Sequence, residues 1–170
     1  TFAKRLVEEG KAYPCFCTAE ELDAVRAAQE EAKEVPGYYG KAAKCRDLSL
    51  DEVKAHLANN DTFVLRLRSN GSPDNKIKFT DLVRGNLELT ENYIDHILLK
   101  SDGMPSYHLA HGVDDRLMGT THVVRGEEWL SSLPIHIELF KVLGFRLPKY
   151  GHNCSIQKVD GETRRKLSKR

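Results

Sequence analysis

The sequence contains no run close to the roughly 18 consecutive apolar residues that a membrane-spanning helix needs, so such a helix is excluded. Its 4 cysteines in 170 residues are too few to staple a small disulfide scaffold. No charge of one sign dominates: 26 Lys and Arg stand against 25 Asp and Glu, a net charge of +1. Nucleic-acid or membrane binding therefore draws no support from net charge and must rest on local patterning. Internal repeats, low-complexity segments and a signal-peptide pattern are all lacking. What remains is an ordinary globular composition, 40% hydrophobic and 30% charged, sized for one or two domains with a real core. Thr1 opens the chain inside what reads as a helix, and Lys169-Arg170 closes it inside a basic run. The expectation is a piece of a longer protein.

Residues 1–11 read as the end of a helix, with Phe2, Leu6 and Val7 on one face and Gly10 as the stop. Thr18-Ala19-Glu20-Glu21 and Ser49-Leu50-Asp51-Glu52 are capping boxes, each opening a helix. The first should run to about Lys33, and the second should turn Val53 and Leu57 inward and stop at Asn59-Asn60. Pro36–Gly40 is a loop. Thr62–Arg68 alternates, with Phe63, Leu65 and Leu67 facing inward and Arg66 and Arg68 forming a basic outer face. Asp81–Leu89 reads as one strand with a bulge at Gly85. From Tyr93 onward the pattern becomes strand, helix, strand, helix: a buried strand over Ile94–Leu99, a turn at Asp102-Gly103, a helix over His108–Met118, a strand over His122–Arg125, and a helix from Ser131 to Gly144. This is the rhythm of half an α/β parallel sheet, following an α+β region over roughly 12–92.

Three places carry candidate chemistry. Cys15-Phe16-Cys17 offers two thiolates that can grip one Zn²⁺, with Cys45 as a third ligand and Tyr39, Asp47 or His56 as a fourth; the alternative is plain reduced thiols. Arg125-Gly126-Glu127-Glu128-Trp129-Leu130 follows an apolar strand, where ligands bind in open α/β sheets. Arg125 can hold a carboxylate through a two-pronged hydrogen bond, and Trp129 is either a pocket wall or core. From Lys158 to Arg170 there are six basic residues and two acidic ones. That tail is either a solvated loop or a mobile loop whose lysines meet phosphates. The seven histidines carry no metal-like spacing, so capping and surface roles are expected of them.

Gly10-Lys11-Ala12-Tyr13 with Cys15–Thr18, Leu99–Ala110, Val113-Asp114-Asp115, Val124–Leu130 and Lys166-Leu167-Ser168-Lys169-Arg170 occur in this order. In that order, over essentially the whole chain, the sequence resembles the bacterial glutamyl-tRNA synthetases, a family of class I aminoacyl-tRNA synthetases. Lys166–Arg170 is similar to the family's KMSKS signature; its His-x-Gly-His signature does not occur in these 170 residues. The resemblance implies the second half of a class I Rossmann-type catalytic fold plus an α+β acceptor-binding insertion. Residues 1–11 would end a helix of the first catalytic half. Residues 12–92 would be the insertion that holds the tRNA acceptor end, where Arg66 and Arg68 would meet phosphates. Residues 93–170 would be the second catalytic half, ending in the KMSKS-like loop.

The implied reaction joins glutamate to ATP, with Mg²⁺, as glutamyl-adenylate, then passes the glutamyl group to the 3′ end of tRNA. By resemblance Tyr107, His111, Arg125 and Trp129 line the amino-acid pocket, although His111 stands where other members often have Asn. Glu128 and Lys169 lie at the ATP site, and Lys166 and Lys169 stabilise phosphates during adenylation. Zn²⁺ would sit on Cys15, Cys17 and Cys45 with Tyr39 or Asp47 as fourth ligand. The implied partners are tRNA(Glu), with tRNA(Gln) as a further candidate, in the cytoplasm and away from membranes. The isolated 170 residues are expected to be inactive. Two other readings are the shorter glutamyl-Q tRNA modification synthetase and a non-catalytic, zinc-nucleated RNA-binding module.

Overall fold

The computed structural model describes residues 1–160 and 163–167. Helix α1 (Phe2–Glu8) ends before Gly10, whose φ of +68° is left-handed and suits glycine. Strand β1 (Ala12–Cys15) leads to helix α2 (Ala19–Glu31), and helix α3 (Leu50–Ala58) follows the 32–49 loop. Both capping boxes form: Thr18 accepts from the Glu21 N–H and Ser49 from the Glu52 N–H, and each glutamate reaches back. Helix α3 does not bury its apolar residues as the pattern predicts. None of its residues is buried and Leu57 is 46% exposed.

Strand β2 (Val64–Leu67) sits between β1 and β5 (Ile97–Leu99), antiparallel to both. Its central place explains a departure from the sequence reading. Leu67 faces the main core, and the opposite face is covered as well, by the loop that carries Tyr38. Arg66 is therefore buried, its guanidinium 4.0 Å from the Tyr38 ring centre and donating to the Asp95 carbonyl at 3.0 Å. Arg68 is half-buried, pairs with Asp47 and donates to the Arg46 carbonyl. The expected basic outer face is thus turned into the protein. Asp81–Leu89 is likewise not one strand. Strands β3 (Lys76–Asp81) and β4 (Gly85–Thr90) form a hairpin, and Asp81 pairs with Gly85 across its turn. The Asp81 carboxylate accepts from the Val83 and Arg84 N–H groups at 2.9 and 3.0 Å, and Gly85 takes φ +72°. The exposed Leu82 and Val83 at the turn gave it a strand-like apolar pattern.

Helix α4 (Tyr107–Leu117) is followed by strand β6 (His122–Gly126), a 3₁₀ turn, helix α5 (Leu133–Val142) and strand β7 (Lys149–Asn153). Strands β6 and β7 are parallel with α5 as their crossover, and they are the one parallel pair among the described residues. The described part of the basic tail is a hairpin of β8 (Gln157–Asp160) and β9 (Thr163–Lys166) rather than a loop. Leu6, Leu67, Leu98, Leu109, Ile135 and Leu139 meet in one core, so α1, β2, β5, α4 and α5 pack as a unit. Each fully buried leucine contributes about 1.5–3 kcal/mol. No helix among the described residues is long and apolar enough to cross a membrane.

Candidate functional site

The parallel register sets Arg125 beside His152 at the carboxyl end of β6. Gly126 follows, and the Glu128 carboxylate lies against it in the space a Cβ would take. The guanidinium is held on three sides: Nε donates to His152 Nε2 at 2.9 Å, Nη1 to His136 Nδ1 at 3.0 Å, and Nη2 to the Trp129 carbonyl at 3.3 Å. The Tyr150 ring braces its face at 4.9 Å. An arginine carries five N–H donors, so one remains on each terminal nitrogen after these three bonds, the pattern a carboxylate fork uses.

Tyr107, the first residue of α4, stands over this group. Its ring lies 4.6 Å from Trp129 and stacks at 5.8 Å on His111. His111 turns its Nε2 to the Tyr150 hydroxyl at 2.8 Å and its Nδ1 to Asp115 at 2.9 Å. The structure thus brings Tyr107, His111, Arg125 and Trp129 together. Glu128 is exposed beside them, and Glu127 pairs with Arg84 of the hairpin turn. Lys166 lies in β9 opposite Gln157. Lys169 lies outside the described residues.

His122 is exposed and His56 partly exposed against Asp61, as the sequence suggested, but other histidines are not surface groups. His136 and His152 are fully buried. Arginine cannot accept a hydrogen bond, so the two imidazole nitrogens facing Arg125 must be bare. His152 therefore carries its proton on Nδ1, 2.6 Å from Asp81 Oδ2, and His136 carries its own on Nε2, 3.1 Å from His108 Nδ1. Burial, aided by repulsion from His111 and Arg125, pushes the His136 pKa down to about 2. Burial beside His108 and Arg66 takes His96 down to about 4. One signal was available in the sequence: His136 shares the buried face of α5 with Leu133 and Phe140, at i, i+3 and i+7.

A stability prediction follows. The His96 and His136 rings are neutral when folded, but in the unfolded chain they bind protons near pH 6.5. The unfolded state holds more protons below that pH, so stability falls as pH drops from about 6.5 through the His96 value of about 4. The melting temperature measured from pH 7.5 to 4.5 should decline across that window and shift less in a His96→Gln variant.

A second cluster lies at the carboxyl end of β1. The Cys15, Cys17 and Cys45 sulfurs all lie within 4.8 Å of one another. The fourth group beside them is the Tyr38 hydroxyl, 3.2 Å from Cys17 Sγ and accepting from the Cys45 N–H at 3.1 Å. The expected fourth ligands are engaged elsewhere: Tyr39 donates to the Val35 carbonyl, Asp47 pairs with Arg68, and His56 stacks on Phe16 and faces Asp61. The 3₁₀ turn at Gly40–Ala42 folds the loop back, and Tyr38 rather than Tyr39 is buried with the thiols. Hydrogen bonding from Cys45, against the cost of burial, brings the Cys15 thiol down to about 4, while Cys17 and Cys45 are raised. Three sulfurs are donors that a tetrahedral zinc takes, and the Tyr38 hydroxyl stands beside them where a fourth ligand would, although burial and the neighbouring thiols raise its pKa.

The family model for the catalytic domain of class I tRNA synthetases (E and Q) matches residues 1–170, the whole chain. The chain belongs to this family. Within it, the chain is 54% identical over 170 residues to the glutamate–tRNA ligase of Acetivibrio thermocellus and 51% identical to that of Clostridium beijerinckii. All of the chain is covered in both, against 31% of either relative. A crystal structure of the glutamate tRNA ligase of Elizabethkingia meningosepticum superposes with a TM-score of 0.82 at 36% identity, covering 99% of this chain and 34% of that one. The glutamate-tRNA synthetase of Elizabethkingia anophelis superposes with 0.80 at 35% identity, over 99% of this chain and 35% of that one. The chain thus spans about a third of the length of the relatives it matches, and its mixed α/β architecture is that of the class I catalytic domain.

Proposed function

We propose that this chain is the part of a glutamate–tRNA ligase that holds the amino acid and faces the tRNA acceptor end. The observation that carries the reading is Arg125: fixed on three sides, with one N–H left on each terminal nitrogen, beside Tyr107 and Trp129. In this reading Arg125 takes a carboxylate of glutamate, and Tyr107, His111 and Trp129 shape the pocket. The relative from Elizabethkingia meningosepticum was crystallised in complex with its amino acid, which fits such a pocket in the shared fold. Glu128, Lys166 and Lys169 serve ATP, bound with Mg²⁺. The lysines act on phosphate charge that grows during adenylation.

Residues 12–92 form the acceptor-end insertion, without Arg66 and Arg68 as phosphate contacts. A cleft of about 470 Å³ between α2 and the start of α4, lined by Arg26, Lys100, His96 and His108, supports this placement. Its far wall, His108, bonds to His136 and so borders the Arg125 pocket. The partners are then tRNA(Glu), with tRNA(Gln) as a second acceptor, in the cytoplasm. The test is to supply labelled glutamate, ATP and tRNA to the protein at the length of its relatives and locate the label after nuclease digestion. Label on the 3′-terminal adenosine is the expected result; label on an anticodon nucleoside, or none, would refute it.

Zinc on Cys15, Cys17, Cys45 and Tyr38 would tie the 36–45 loop to β1. Binding needs deprotonated thiols and weakens as pH falls, and a phenolate ligand makes the site weaker than a four-cysteine one. Elemental analysis of protein grown with zinc should show one equivalent, lost in Cys45→Ser and reduced in Tyr38→Phe. Tyr39→Phe should leave it unchanged.

A further inference from the structure

The β3–β4 hairpin turn belongs to the region assigned to the acceptor end, yet it is bonded to β7, the strand paired with that of Arg125. The Leu82 N–H donates to the Tyr150 carbonyl at 2.8 Å, and Arg84 Nε to the His152 carbonyl at 3.2 Å. Asp81, 2% exposed, accepts from the His152 backbone N–H at 3.1 Å and from the His152 ring at 2.6 Å. His152, fully buried, in turn accepts from Arg125 Nε. The chain runs Asp81, His152, Arg125, and each link fixes the next. The carboxylate holds the ring proton on Nδ1, which leaves Nε2 bare for the only N–H on Arg125 Nε.

We propose that Asp81 and His152 are positioning residues for Arg125, setting its guanidinium plane so that the two remaining N–H groups meet the substrate carboxylate as a fork. The proposal rests on the reading of Arg125 as the carboxylate contact. A ring carrying its proton on Nε2 would face Arg125 Nε with a donor where an acceptor is needed, and the guanidinium would turn away. The hairpin thereby sets the geometry of the amino-acid pocket from a distance, without touching the amino acid. Asp81 is itself held ionised: burial works against it, but the bonds from His152, Arg84 and Val83 win and bring its pKa down to about 2.

Two conservative replacements separate positioning from mere packing. The amide of asparagine sits near the Nδ1 position of the ring, that of glutamine near Nε2. His152→Asn keeps a partner for Asp81 and loses the acceptor for Arg125; His152→Gln does the opposite. In steady-state charging of tRNA by the protein at the length of its relatives, His152→Asn should raise the glutamate KM about tenfold, the effect of one hydrogen bond to a charged group. The ATP KM should not move. His152→Gln should keep the glutamate KM within about threefold of the parent. Asp81→Asn, which frees the ring to carry its proton on Nε2, should resemble His152→Asn. Equal glutamate KM values for the two His152 variants, or parallel rises for glutamate and ATP, would overturn the proposal. An Arg125→Ala protein with an unchanged glutamate KM would instead overturn the reading beneath it.

Discussion

Arg125→Ala is expected to lower kcat/KM for glutamate by more than about tenfold, because truncating a buried two-pronged arginine–carboxylate contact costs about 2–5 kcal/mol. The loss should fall on glutamate and leave the ATP KM near its original value. Arg125→Lys should recover little. Lysine has no planar fork, and its ammonium cannot bond to His152, His136 and the Trp129 carbonyl while also offering two parallel donors. A second signature accompanies the kinetic one. Arg125 is among the charges that depress His108, His111 and His136, so in Arg125→Ala these pKa values should rise. An NMR titration of the ring protons measures this. An unchanged kcat/KM would make Arg125 a structural residue of the β6–β7 joint.

Asp95→Ala is expected to destabilise the fold by about 3–5 kcal/mol, the cost of leaving a buried charge partner uncompensated. Asp95 is fully buried, just before β5, and ties that segment to β1, β2 and the 32–49 loop. Its carboxylate accepts from the Tyr13 hydroxyl at 2.6 Å, from Arg46 Nη1 at 2.7 Å and from the Ser69 N–H at 2.8 Å. Its backbone binds Tyr38 and Arg66. Removing the carboxylate strands a guanidinium, a phenol and an amide at once. Asp95→Asn keeps an acceptor oxygen for part of this set and should lose less. Denaturant unfolding of otherwise identical chains, compared at constant m, gives the difference. A loss below about 1 kcal/mol would show that water replaces these contacts freely.

The features legible in the sequence were local ones. The capping boxes at Thr18 and Ser49 need only a four-residue pattern. The strand–turn–helix around Arg125 needs only an apolar run, a glycine and a proline in the next helical turn. The Cys-x-Cys pair and Cys45 could be grouped because period-two alternation puts Cys15 and Cys17 on one side of an extended segment.

What escaped the sequence depends on distant partners. Alternation marked Arg66 as outward, and it becomes inward because the Tyr38 loop covers the second face of β2. The choice between Tyr38 and Tyr39 turns on how the 3₁₀ turn at Gly40–Ala42 rotates the loop, which no spacing rule supplies. Asp81 and His152 lie 71 residues apart and meet only once the hairpin docks on β7. Read as one strand, Asp81–Leu89 hid the turn whose aspartate orders that histidine.

The most direct test of the account is a structure of the protein, at the length of its relatives, with glutamate and an unreactive ATP analogue. The account predicts one glutamate carboxylate within hydrogen-bond distance of both Arg125 Nη1 and Nη2, beside Tyr107, with the His152 and His136 bonds to Arg125 intact. A glutamate bound without touching Arg125, or an Arg125 that leaves His152 to reach it, would contradict the account.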